Sequence, residues 1–281
     1  MARRKHKNRF LAGTALTTAI VILISALTGM ARRCSDNSPG LKISTPLDAL
    51  LHVEIPDSVS NSPVKHYSAI NIAFNPRHHI PNYVSWILTR DMVNGTIPRE
   101  NKFYTDPRVK GCASPDDYKY SGYDRGHMAP AGDMKWSEEA MHESFSMANM
   151  CPQAKPLNTG AWKKLEEKCR QWAEADSAIV IVCGPILTRE PEAYIGATHV
   201  SAPSGFFKVI LSPGSNPPRA IGFIMPNAKV PGGIQQAAVS VDSVERATGF
   251  DFFAALPDSI ESIVESQCDF HYWSTIRPKK N

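Results

Sequence analysis

Positive charge is scarce in this chain once its first 33 residues are set aside. The 281 residues carry 31 Lys and Arg against 27 Asp and Glu, but residues 1–33 hold seven of the basic ones and none of the acidic ones, leaving 24 against 27. A face that binds a polyanion by broad counterion release needs a basic excess. That mode is disfavoured for the body of the chain, so any contact with phosphates must rest on a local site. No Cys-x-x-Cys pair occurs among Cys34, Cys112, Cys151, Cys169, Cys183 and Cys268, which leaves a structural zinc site or a thioredoxin-like redox centre with little support. Buried free thiols, or one or two structural bridges, account for the six better than thiol chemistry does. There is no internal repeat, and no low-complexity tract beyond the Pro-containing loop 212–218.

What is present begins with a leader. Arg3, Arg4, Lys5, Lys7 and Arg9 precede an apolar or small-residue run from Phe10 to Ala31, and Arg32 and Arg33 follow it. The run approaches the roughly 20 residues that cross hydrocarbon, and Gly29 and Ala31 suit a cleavage site. A cleaved signal peptide and an uncleaved membrane anchor both satisfy residues 1–33. Either way the larger basic cluster stays inside and the rest crosses. The expectation is an exported protein, periplasmic, extracellular, or anchored in the membrane with its main domain outside the cytoplasm.

A hydrophobic share of 42% with 21% charged residues describes an ordinary globular chain. Residues 34–63, rich in Ser, Pro, Asp and Asn, read as a flexible tether. Residues 64–276 read as one domain and 277–281 as a tail. Strand-like runs lie at His66–Phe74, Tyr83–Thr89, Ala178–Cys183, Phe206–Leu211 and Ala220–Met225, each bounded by Pro, Gly or Asn. Helical patterns lie at Ser137–Met147, Asn158–Ala173 and Ser240–Thr248. In the second, Trp162, Leu165, Cys169 and Trp172 recur at three- and four-residue steps, so that seam faces a core and the two tryptophans are packing residues. Strands and helices are segregated, which predicts an α+β domain on a central antiparallel β-sheet with flanking helices.

Chemistry concentrates in two blocks. Asp124, Arg125, Gly126 and His127 are consecutive, trailed by turn formers as far as Asp133. A neutral imidazole can take a proton from water, and a guanidinium can hold a phosphate through two parallel hydrogen bonds. Alone, a His beside an Arg in a Gly- and Pro-rich loop is more often an ordinary surface feature than a base. The second block reads Asn149, Pro152, Gln153, Asn158, Trp162, Leu165 and Glu166. The adjacent pair His78 and His79 invites a metal reading, but neighbours on a strand point to opposite faces, and both are expected at the surface or in a loop.

Together the two blocks resemble the DNA/RNA non-specific endonucleases of the ββα-metal, or His-Me finger, superfamily. Their signature, D-R-G-H followed by N-x-x-P-Q-x-x-x-x-N-x-x-x-W-x-x-L-E, is matched at every position between Asp124 and Glu166. The resemblance implies a ββα-metal active-site motif, with His127 as general base and Asn158 as the protein's ligand to Mg²⁺, or to Mn²⁺ or another divalent cation. It implies that Glu166 holds the waters around that metal, that Asn149 is an active-site residue, and that Arg125 stabilises charge on the scissile phosphate. Arg99 resembles a further phosphate-contacting Arg. DNA and RNA are then the expected partners, through phosphates that carry no base code. The membrane is a further partner where the leader stays uncleaved, and a second copy of the chain, as a homodimer, is another.

Competing readings are plain. A helix N-cap is the plain alternative for Asn158, and a solvated helix charge is the plain alternative for Glu166. A nuclease-like fold retained as a binding or scaffolding module is one alternative, and a phosphodiesterase acting on small nucleotides or other phosphate esters is another.

Overall fold

The apolar runs of the sequence become the strands of one antiparallel sheet buried on both faces. The computed structural model describes residues 42–59, 63–187 and 190–276. The leader of residues 1–33, Cys34, the start of the tether and the tail lie outside them. The strands are β1 (Val53–Glu54), β2 (Lys65–His66), β3 (Asn71–Asn75), β4 (Ile80–Thr89), β5 (Asp124–His127), β6 (Met150–Gln153), β7 (Ala178–Pro185), β8 (Ala193–Ile195), β9 (Val200–Ala202), β10 (Gly205–Ser212), β11 (Arg219–Pro226), β12 (Ala238–Val239) and β13 (Asp251–Phe252). The α-helices are α1 (Arg90–Val93), α2 (Glu138–Ser144), α3 (Lys163–Asp176), α4 (Gly233–Ala237), α5 (Val241–Thr248), α6 (Asp258–Glu265) and α7 (Phe270–Thr275).

Seven strands form the sheet in the order β12-β11-β10-β7-β4-β3-β2, and β5 pairs with β6 outside it. Every ladder in the sheet is antiparallel. The expected α+β class with a central antiparallel sheet is therefore what the chain adopts.

Side chains alternate faces along each strand. On β10, Phe206 and Ile210 join one core while Phe207, Val209 and Leu211 join the other. On β7, Ile179, Ile181 and Cys183 face the first core, and Val180 and Val182 the second. The first core is closed by α3 and by the β5–β6 pair, and the second by α5, α6 and the segment around β1. Each fully buried large side chain contributes about 1.5–3 kcal/mol relative to exposure, so both faces add to stability.

Helix α3 buries Leu165, Cys169 and Trp172, with Trp162 just before it, as the apolar spacing predicts. Its regular part starts later than expected. Leu157–Trp162 form a wider π-type turn, because Gly160 sits at φ −106°, ψ −110°, outside helical space. Helices α2 and α5 start at Ser137 and Ser240, whose side chains accept backbone N–H bonds from Ala140 and Ser243, the ordinary N-cap arrangement.

The tether expectation needs correction over its described part. Leu50 and Val53 are fully buried, Val53 pairs with Phe252, and Leu51 accepts a hydrogen bond at 2.8 Å from Ser85 Oγ. The Ser- and Pro-rich composition conceals apolar residues that cover the second core. The described cysteines, Cys112, Cys151, Cys169, Cys183 and Cys268, are free thiols. His78 and His79 bond to Ser201 Oγ and the Gly111 carbonyl, in the turn after β3.

Candidate active site

The Asp-Arg-Gly-His block is strand β5, and its pairing with β6 sets His127 opposite Met150. Gly126 is required there, since a Cβ on it would come within 2.5 Å of Gln153 Cβ. The carbonyl of His127 accepts a hydrogen bond from Trp162 Nε1 at 3.1 Å, fastening the strand to the helical side of the site. The ring of His127 lies near Phe103 and edge-on to Phe145, with centroids 5.6 and 5.0 Å away. Its Nε2 is buried and has no hydrogen-bond partner. Burial, reinforced by the charge of Arg99, lowers the His127 pKa to about 3. The imidazole is therefore neutral in the free protein, with its basicity held down by burial.

Asn158 stands in the wide turn ahead of α3. Its Nδ2 donates to Asp124 Oδ2 at 2.9 Å. With Nδ2 so engaged, Oδ1 receives no hydrogen bond from any described residue. The side chain does not cap the helix. Glu166, eight residues further on in the first turn of α3, lines the same cleft. Burial pushes its pKa up to about 7, opposed chiefly by Lys208 and assisted by Asp133, so it is not a freely solvated helix charge.

His127, Asn158, Glu166, Arg99 and Arg125 line one cleft of about 310 Å³, with Phe103, Pro130, Ala131, Gly132, Thr159, Lys163 and Arg170. Four Lys or Arg face one carboxylate there. The local basic site that the composition demanded is this cleft. Arg125 is held by a 2.8 Å bond from its guanidinium to the Pro115 carbonyl and lies over the Phe103 ring, while Arg99 lies over Phe145.

Asn149 is the exception, and its placement in the catalytic set needs correction. It is fully buried and does not line the cleft. Its Oδ1 accepts from Ala129 N, and its Nδ2 donates to the carbonyls of Ala129 and Ser144. With its amide engaged by the chain just after His127, it is a positioning residue.

Three further residues build the site without having been singled out from the sequence. Asp133 is buried, accepting from Arg170 at 2.8 Å and from Trp86 Nε1 at 3.2 Å. Arg170 packs so tightly against Gly132 that a Cβ there would sit 2.8 Å from its guanidinium. Lys208 is 1% exposed in the middle of β10, its Nζ 4.4 Å from the Trp162 ring and 5.0 Å from that of Trp86. It is a buried cation beneath the two tryptophans that bond to His127 and Asp133. Asp133 closes the turn-rich block after His127, a sequence signal that could have drawn it in; an isolated Lys in an apolar strand offers no such signal.

An antiparallel strand pair ending in a histidine, and a helix bringing Asn158 and Glu166 to the same cleft, make a site of the ββα type. Comparison with known proteins agrees. The family model for DNA/RNA non-specific endonuclease matches residues 50–259, and the chain belongs to that family. It is 35% identical over 219 residues to a protein named "Nuclease EXOG, mitochondrial" from Danio rerio, covering 72% of this chain and 63% of that one. It is also 35% identical over 168 residues to the human "Endonuclease G, mitochondrial", covering 55% and 57%. The chain thus spans roughly three fifths of the length of these curated relatives. A solved structure described as an EndoG/EndoGI complex superposes with a TM-score of 0.63 at 30% identity, covering 68% of this chain and 85% of the other.

These relatives correct the expectation of export or membrane anchoring, because those named above and the yeast relatives are mitochondrial nucleases by name. Among the described residues, no helix is long and apolar enough to cross a membrane.

Proposed function

We propose that this chain is a divalent-metal-dependent endonuclease that hydrolyses phosphodiester bonds in both DNA and RNA. The observation that carries the reading is the convergence of a neutral, buried imidazole, an amide oxygen free of hydrogen bonds and several guanidinium groups on one cleft. The donor set fits a hard cation. Asn158 Oδ1 would hold the ion directly and Glu166 would accept from its waters, in keeping with the preference of Mg²⁺ for oxygen donors and retained water. When bound, the ion supplies electrophilic stabilisation to the phosphate and the departing oxygen.

The chain's own residues do the rest. Arg99 and Arg125 bind the phosphate and stand where negative charge grows as water attacks phosphorus. The His127 imidazole takes the proton from that water as the new P–O bond forms. The P–O3′ bond breaks, and the released oxygen picks up a proton from solvent in the cleft. Burial is the main cause of the low basicity of His127, and the anion of the substrate offsets the smaller part that Arg99 contributes. Because the nucleophile is water and not a ribose 2′-hydroxyl, the reaction is indifferent to the sugar.

The test is digestion of plasmid DNA and of RNA with Mg²⁺ supplied or chelated. Wild-type protein cuts both polymers and stops with chelator, and Asn158→Ala requires far more metal. Activity confined to small phosphate esters, or untouched by chelation, overturns the reading.

A further inference from the structure

A second concentration of charge lies on the opposite face of the sheet from the cleft. Between residues 241 and 265 the chain carries six acidic side chains, Asp242, Glu245, Asp251, Asp258, Glu261 and Glu265, and one basic one, Arg246. Asp242 and Glu245 stand three residues apart on one side of α5. Glu265 ends α6. A carboxylate oxygen from each of these three lies within 4.8 Å of the other two.

Helix surfaces often gather acidic groups without consequence, but here one of them is buried. Glu265 is 5% exposed, and its Oε1 is enclosed with no hydrogen-bond partner, while the side chain points into the other two carboxylates. The one nearby cation in sequence, Arg246, donates to Ser243 Oγ at 2.8 Å, and its charge acts on Glu245 less strongly than burial, the Phe252 N–H, Asp251 or Asp242 does. Glu245 spends one oxygen on Phe252 N at 3.0 Å. Next to this, Glu54 and Asp251 face each other across the β1–β13 ladder, a like-charge pairing that destabilises a sheet. Ionising a buried carboxyl with no adjacent counter-charge is expensive, and burial together with the carboxylates around it pushes the Glu265 pKa up to about 9, a cost that a bound cation would remove.

We propose that Asp242, Glu245 and Glu265 form a binding site for a calcium ion, separate from the catalytic cleft, that clamps α5 to α6. The donors are all carboxylate oxygens, which suits a hard cation and disfavours zinc, whose structural sites use thiolate and imidazole. Calcium accepts an irregular shell of six to eight oxygens, whereas Mg²⁺ demands a near-ideal octahedron. Two half-buried carboxylates and one buried one leave an open side for water, as calcium tolerates.

Thermal unfolding of chelator-stripped full chain, with and without CaCl2, tests this. Calcium at a hundred times its Kd should raise Tm by roughly 5–10 °C. The rise should persist in Asn158→Ala, whose catalytic metal position is impaired. It should vanish in the double variant Asp242→Asn/Glu245→Gln, whose metal-free Tm should exceed that of the wild type because like-charge repulsion is relieved. A calcium response absent from Asn158→Ala, or surviving in the double variant, overturns the proposal.

Discussion

Replacing Asn149 by alanine separates a positioning role from a catalytic one. Its amide makes three hydrogen bonds at 2.8 to 3.0 Å, to both backbone groups of Ala129 and to the Ser144 carbonyl, from a fully buried position. The alanine variant strands those three partners away from water, and each lost bond costs about 1 kcal/mol or somewhat more. The total is about 3 kcal/mol. For a domain of this size each kcal/mol moves Tm by roughly 2–4 °C, so the fall should be about 6–12 °C. Because the freed segment begins two residues after His127, the imidazole is displaced, and an error of about 1 Å can lower turnover roughly a hundredfold. Paired calorimetry and plasmid cleavage on Asn149→Ala and Asn158→Ala give the contrast. Asn158 loses a single part-buried bond to Asp124, so its variant should unfold within a few degrees of the wild type while losing metal-dependent activity. An Asn149→Ala protein as stable as wild type but inactive would refute the reasoning and return Asn149 to the reacting atoms.

Further outcomes follow from other contacts. Gly126→Ala puts a Cβ 2.5 Å from Gln153 Cβ, and overpacking of this kind costs about 1–3 kcal/mol, which calorimetry should register as a lower Tm together with weaker cleavage. Lys208→Met removes the largest of the charge influences holding the Glu166 pKa down, so the acidic limb of the pH–rate profile should move to higher pH; an unchanged profile would show that Lys208 serves packing alone. Asp106 is buried, which by itself would raise its pKa, yet bonds from Arg108 and Tyr67 hold it below the usual carboxylate value. A depressed folded pKa contributes stability present above the unfolded value and lost as pH falls through the folded one. Asp106→Asn should therefore lower Tm at neutral pH, with the difference shrinking below about pH 4, as urea unfolding at several pH values can show.

The sequence displayed some parts of this molecule because their signals are periodic or contiguous. Trp162, Leu165, Cys169 and Trp172 announce α3 by spacing alone, and the runs at Tyr83–Thr89 and Phe206–Leu211 announce central strands. His127, Arg125 and Asn158 stand in a fixed motif, and the structure brings them to one cleft with Glu166 and Arg99. A motif names a residue without saying which way it points, so Asn149 was placed with the reacting groups although its amide is turned into the scaffold. Lys208 was invisible for a different reason: its two aromatic partners come from β4 and from the turn before α3, and only tertiary packing assembles them. The segment before residue 64 looked like a tether because Ser and Pro outnumber the few apolar residues, Leu50 and Val53 among them, that the second core needs.

The central claim is that a buried neutral imidazole drives hydrolysis in a metal-dependent cleft. Single-turnover cleavage of a short DNA duplex at saturating Mg²⁺, comparing wild type with His127→Ala, addresses it directly. General-base catalysis is typically worth about 10²–10⁴-fold, so the variant should slow by that order while its Mg²⁺ requirement stays near that of the wild type. A His127→Ala enzyme that cleaves within a few-fold of the wild-type rate would contradict the account.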